Sequence, residues 1–178
     1  MKRLVLGVAA VAALALLVAP EFPRYAAERR IGRATNAFRA LLDRTGDPET
    51  ARNVVAVGEI ALQTAAQLPG DPRPWMLAGS SYLVTGQPER ALEFYREGFA
   101  TGERAEIDLN LGRAYALLKR RASASAAYVR AGWISPEILA SLPPDQKAPA
   151  LAETRRLAAE LVAGRLDAPP PLPSEERR

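Results

Sequence analysis

The chain has 178 residues, the length of one domain with short segments attached. It contains neither cysteine nor histidine, which removes thiol nucleophiles, Ser-His-Asp triads, disulfides and every His- or Cys-ligated metal site. Of the net charge of +4, Lys2 and Arg3 supply two, leaving 22 bases (24 − 2) against 20 acids, interspersed along the chain. That balance gives no reason to expect a nucleic-acid partner.

Met1-Lys2-Arg3 precedes an uncharged apolar run, Leu4 to Ala19, which ends at Pro20-Glu21-Phe22-Pro23. A cleaved export signal needs small residues three and one before the cut, yet a cut after Ala19 puts Leu17 there and a cut after Ala27 puts Tyr25 there. Residues 1–20 are therefore read as a single-pass transmembrane anchor, with a cleaved signal sequence and a free periplasmic product as the alternative. Lys2 and Arg3 favour a cytoplasmic N-terminus and a periplasmic soluble part. Arg24, Arg29, Arg30 and Arg33 follow closely on the other side of the run, where the last three can reach anionic headgroups. Alanine at about one residue in five and the preference for arginine over lysine suggest a bacterial source.

Beyond Pro23 the periodicity and breaks predict an all-α chain, with helices at 24–45, 48–67, 73–85, 88–100, 105–119, 122–132, 136–141 and 147–164. Pro48 and Pro88 suit first helical turns, and Gly46, Gly70, Gly86 and Gly102 fall between helices. The chain also repeats itself. Trp75-x-x-Ala78-Gly79-x-x-Tyr82, with Ala91, Tyr95 and Gly98, returns as Leu111-Gly112-x-x-Tyr115, with Ala124, Tyr128 and Ala131. Gly79 and Gly112, Tyr82 and Tyr115, Ala91 and Ala124, and Tyr95 and Tyr128 are each 33 residues apart. Gly46-x-Pro48-Glu49-x-Ala51 matches Gly86-x-Pro88-Glu89-x-Ala91 forty residues later and marks a degenerate earlier copy.

These residues resemble the tetratricopeptide repeat, a 34-residue pair of helices with the pattern W-x2-L-G-x2-Y, then A-x3-F, then A and P. The resemblance implies a short α-solenoid of helix-turn-helix repeats closed by a C-terminal capping helix. Its divisions are a degenerate hairpin at 24–71, two repeats at 72–136, capping helices at 137–166 and a proline-rich, charged, disordered tail at 167–178. In the cap, Leu151, Leu157, Ala158, Leu161 and Val162 form the expected apolar stripe.

The family binds proteins on the face built by the first helix of each unit. By position, that face is Arg73, Met76, Ser80, Leu83 and Val84 from one unit and Glu106, Leu109, Arg113, Ala116 and Leu117 from the next. Leu109 and Leu117 stand off the Leu111–Gly112–Tyr115 core face and are expected to meet solvent. The tyrosines are read as core, Lys119-Arg120-Arg121 as solvated charge at a helix end, and Glu93 with Glu97 as a solvated face. No catalytic, cofactor or metal residues can be named, and no small-molecule substrate is expected. The expected function is that of a non-enzymatic adaptor or assembly factor, held in a bacterial inner membrane by residues 4–19 and binding protein partners in the envelope. A permanent structural subunit of a membrane complex is the alternative.

Overall fold

The computed structural model describes residues 19, 21–44, 47–171 and 173. Residues 4–18 of the apolar run, Gly46 and the end of the tail lie outside the described residues. Among the described residues no helix is long and apolar enough to cross a membrane.

Among the described residues, seven α-helices and one 3-10 helix follow one another: α1 (Glu21–Leu42), α2 (Pro48–Ala65), α3 (Pro72–Val84), α4 (Pro88–Ala100), α5 (Ala105–Leu117), α6 (Arg121–Ile134), the 3-10 helix (Pro136–Ser141) and α7 (Pro144–Val162). No strand occurs among the described residues. Local chemistry sets the starts. Asp47 and Asp71 cap α2 and α3, their carboxylates accepting the backbone N–H of Thr50 at 2.8 Å and of Arg73 at 2.9 Å. Each such cap gives a partner to an N–H that the first turn of a helix leaves unpaired. Proline opens α2, α3, α4 and α7, where its missing N–H and fixed φ are harmless.

Each helix packs on the next in the chain, and lighter contacts join α1 to α3 and α3 to α5. That pattern is an all-α solenoid of stacked hairpins. One buried cluster joins α1, α2 and α3 through Ala27, Ile31, Val57, Ala61 and Leu77. A larger one runs from Tyr82 through α4, α5 and α6 to Leu139, Leu142 and Ala150 of the cap. Phe94 touches both and makes the core continuous.

The 33-residue period is visible in the packing. Gly79 of α3 lies against the ring of Tyr95, and Gly112 of α5 lies in the same way against Tyr128. A Cβ on Gly79 would stand 2.5 Å from Cε1 of Tyr95, and one on Gly112 would stand 2.5 Å from Cδ1 of Tyr128. The period extends to the turns. Gly86 and Lys119, also 33 apart, both take the left-handed conformation, with φ of 76° and 59°. The next N–H then reaches back to a carbonyl five residues earlier, Gln87 to Tyr82 and Arg120 to Tyr115, each at 2.9 Å.

Two expectations are corrected here. The cap helix starts at Pro144 and buries Ala150 and Thr154, with Leu151 and Leu157 half-buried; Ala158, Leu161 and Val162 are exposed. The apolar stripe exceeds the surface that α6 offers, so its last turn overhangs. The tail, expected to be disordered, is docked in its described part. Pro170 and Pro173 are buried, and the Pro170 carbonyl accepts a hydrogen bond from the Arg130 guanidinium.

Candidate protein-interaction face

The first helices of the two regular units, α3 and α5, carry all ten residues that the repeat register assigns to a partner face, but their exposure differs. Arg73 is exposed and held by its own cap residue, two guanidinium nitrogens meeting the Asp71 carboxylate. Met76, Ser80, Leu83 and Arg113 are half-buried, and Glu106 is exposed. Val84 and Leu117, equivalent in the repeat, are open to solvent at 48% and 58%.

Leu109 is the correction: at 4% exposure it belongs to the core. It shares a buried cluster with Leu139 and Leu142, because the 3-10 segment packs across α5. Helix α5 is covered on several sides, so a residue off its first core face meets a second one.

At the centre of the face five polar side chains form two hydrogen-bonded groups. Tyr95 reaches through the gap left by Gly79 and places its hydroxyl 3.2 Å from Ser80 Oγ. Arg113 donates to Asn110 Oδ1 at 3.0 Å and to Ser141 Oγ at 2.9 Å. Burial pushes the Tyr95 phenol well above its ordinary value, with the Ser80 hydrogen bond and the Arg113 charge opposing. Burial also raises the Tyr128 phenol, again against Arg113. Both hydroxyls stay protonated at neutral pH, so Tyr95 is no base for Ser80. The arrangement suits recognition, with a fixed cation and hydroxyls beside apolar tips, better than proton transfer. Sequence reasoning missed the two tyrosine hydroxyls and Ser141. A signal existed for the first two, since each glycine is followed sixteen residues later by its tyrosine, 79 by 95 and 112 by 128.

A second polar centre lies at the other side of α5. Arg130 of α6 forks between the Glu103 carboxylate, Nη2 to Oε2 at 2.7 Å, and the Pro170 carbonyl. The Arg130 hydrogen bond holds the Glu103 carboxyl below its ordinary 4.5. The buried Asp108 adds to the attraction on Arg130. A cleft of about 600 Å³ separates α7 from the α5–α6 turn, lined by Lys119, Arg121, Tyr128, Asp145 and Gln146 among others. No group of three or more acidic side chains that could hold a metal ion occurs among the described residues.

Fold and face together define the class, an all-α solenoid that presents a mixed face on the first helices of its hairpins. Comparison with protein-family models, with curated proteins and with solved structures returns no match.

Proposed function

We propose that this chain is a tetratricopeptide-like adaptor, tethered to a bacterial inner membrane by residues 4–19, whose α3–α5 face binds a protein partner in the envelope. The observation that carries this reading is the pairing of Val84 with Leu117. Two large apolar side chains at equivalent repeat positions are left uncovered, beside an Arg113 held by Asn110 and Ser141. Single exposed apolar residues are ordinary, but a repeated pair framing oriented polar groups is what a binding face requires.

The test is a photo-crosslinking residue placed at Leu117 in the full chain in native membranes. It should yield a discrete protein adduct that disappears when Val84→Glu is added, with melting unchanged because both positions are exposed. An adduct indifferent to Val84→Glu would move the binding face elsewhere. Leu109→Glu is the contrasting variant: it puts a carboxylate in the core and should unfold the α5–cap region rather than merely abolish capture.

A further inference from the structure

Helix α1 has a face that the solenoid does not use. Its core side is Ala27, Ile31 and Ala34, with Phe38 and Leu41 packed behind. Residues 22, 25, 29, 33 and 36 follow the helical period on the opposite side. There Phe22 and Tyr25 stand 68% and 57% exposed, the Arg29 guanidinium lies 5.9 Å above the Tyr25 ring, and Arg33 follows one turn on. The two acids of α1, Glu21 and Glu28, fall on its flank, and Glu28 pairs with Arg24 at 3.7 Å. With Arg24, Arg29, Arg30, Arg33 and Arg39 against those two, the helix carries a net charge of 5 − 2 = +3. Beside this face Arg30 and Arg33 rim a furrow of about 410 Å³ whose floor is Ala34, Ala37, Val57 and Ile60.

We propose that this outer face of α1 docks on an anionic phospholipid bilayer, laying the helix flat and fixing how the solenoid stands on the membrane. The proposal rests on the tethered reading, because α1 begins two residues after the apolar run ends. Three features fit that occupant. Large exposed aromatics beside cations suit the interfacial zone, where ring and headgroup meet. Guanidinium groups bind phosphate through paired N–H donors, and the acid-free stripe leaves no repulsion to overcome. A cationic rim over an apolar floor matches a phosphodiester with hydrocarbon attached, whereas a free phosphate or a nucleic-acid backbone has no use for Val57 and Ile60.

The cysteine-free chain allows a direct test. Ala26, which lines the same patch as Phe22 and Tyr25, and Glu93 on α4 are each exposed and tolerate single replacement by cysteine and spin labelling. The full chain is reconstituted in phosphatidylcholine vesicles with and without phosphatidylglycerol, and each label is tested for quenching by oxygen from the lipid or by a nickel chelate from the water. With phosphatidylglycerol present the Ala26→Cys label should be lipid-accessible and the Glu93→Cys label aqueous. The Ala26→Cys label should return to water on Arg29→Glu/Arg30→Glu/Arg33→Glu, with helix content unchanged, and on raising salt without any mutation. A chain that floats with the vesicles while its Ala26→Cys label stays aqueous overturns the inference and leaves the tether standing. A chain that does not float overturns both. Lipid access that is equal with and without phosphatidylglycerol refutes the anionic assignment, and protection from the chelate before lipid is added identifies a protein occupant instead.

Discussion

Gly112 is a contact rather than a hinge. The Tyr128 ring occupies the space a Cβ would need, so Gly112→Ala should lower the melting temperature by the equivalent of about 1–3 kcal/mol, the usual penalty for overpacking. Gly32 is the control, since it is a helical glycine with nothing near its missing Cβ; Gly32→Ala should be neutral or stabilise by up to about 1 kcal/mol. Equal melting of the two variants would contradict the packing described for α5 and α6. Lys119 presents the opposite case. It is the only non-glycine with positive φ among the described residues, at the position where the preceding unit has Gly86. Left-handed backbone costs a side-chain-bearing residue about 1–2 kcal/mol, and a glycine gives back about 0.5–1 kcal/mol through unfolded-chain entropy. Lys119→Gly should therefore raise the melting temperature slightly, whereas Gly86→Ala should lower it.

At the scale of elements, the docked tail is held by a side chain from α6 and positioned by one from the α4–α5 loop. Truncation after Asp167 should lower the melting temperature of the parent chain but not of Arg130→Ala, because the tail and the arginine belong to one interaction. An additive result would separate them. The same centre predicts a pH dependence. Glu103 has a folded pKa below its ordinary 4.5, so its contribution is fully present above that value and is lost as pH falls through the lower, folded one. Acid melting of Glu103→Gln should thus show a shallower decline below pH 4.5 than the parent. A decline of unchanged slope would show that Glu103 is not the titrating group.

Across the whole molecule, stability passes from neighbour to neighbour, since most packing joins consecutive helices. Damage should stay local. Ala150→Asp puts a carboxylate into the seam between the cap and α6 and uncovers Leu139, Leu142 and Leu109. Hydrogen exchange should then quicken in α5 and α6 while α1 and α2 keep their protection. Uniform loss from α1 through α7 would mean that this part of the chain opens as one unit rather than as a stack.

The sequence by itself determined the helices, whose observed ends fall within about three residues of the expected ones. It also determined the stacking, because a 33-residue period in glycine, tyrosine and alanine states which faces must touch. Half-exposed Met76, Ser80 and Arg113 and open Val84 and Leu117 were legible from that register. The fate of Leu109 was not. Periodicity reports that a side chain leaves one face, but only the path of the 3-10 segment decides whether another surface receives it. The tail was hidden for a related reason. A run such as Ala168-Pro169-Pro170-Pro171 has no amphipathic period, so its composition reads as extended chain, while its docking depends on where α6 holds Arg130 and the α4–α5 loop holds Glu103. Local residue types and spacings fix what each helix can bury. Which surfaces remain open depends on neighbours brought together from distant parts of the chain, and only the tertiary structure decides that.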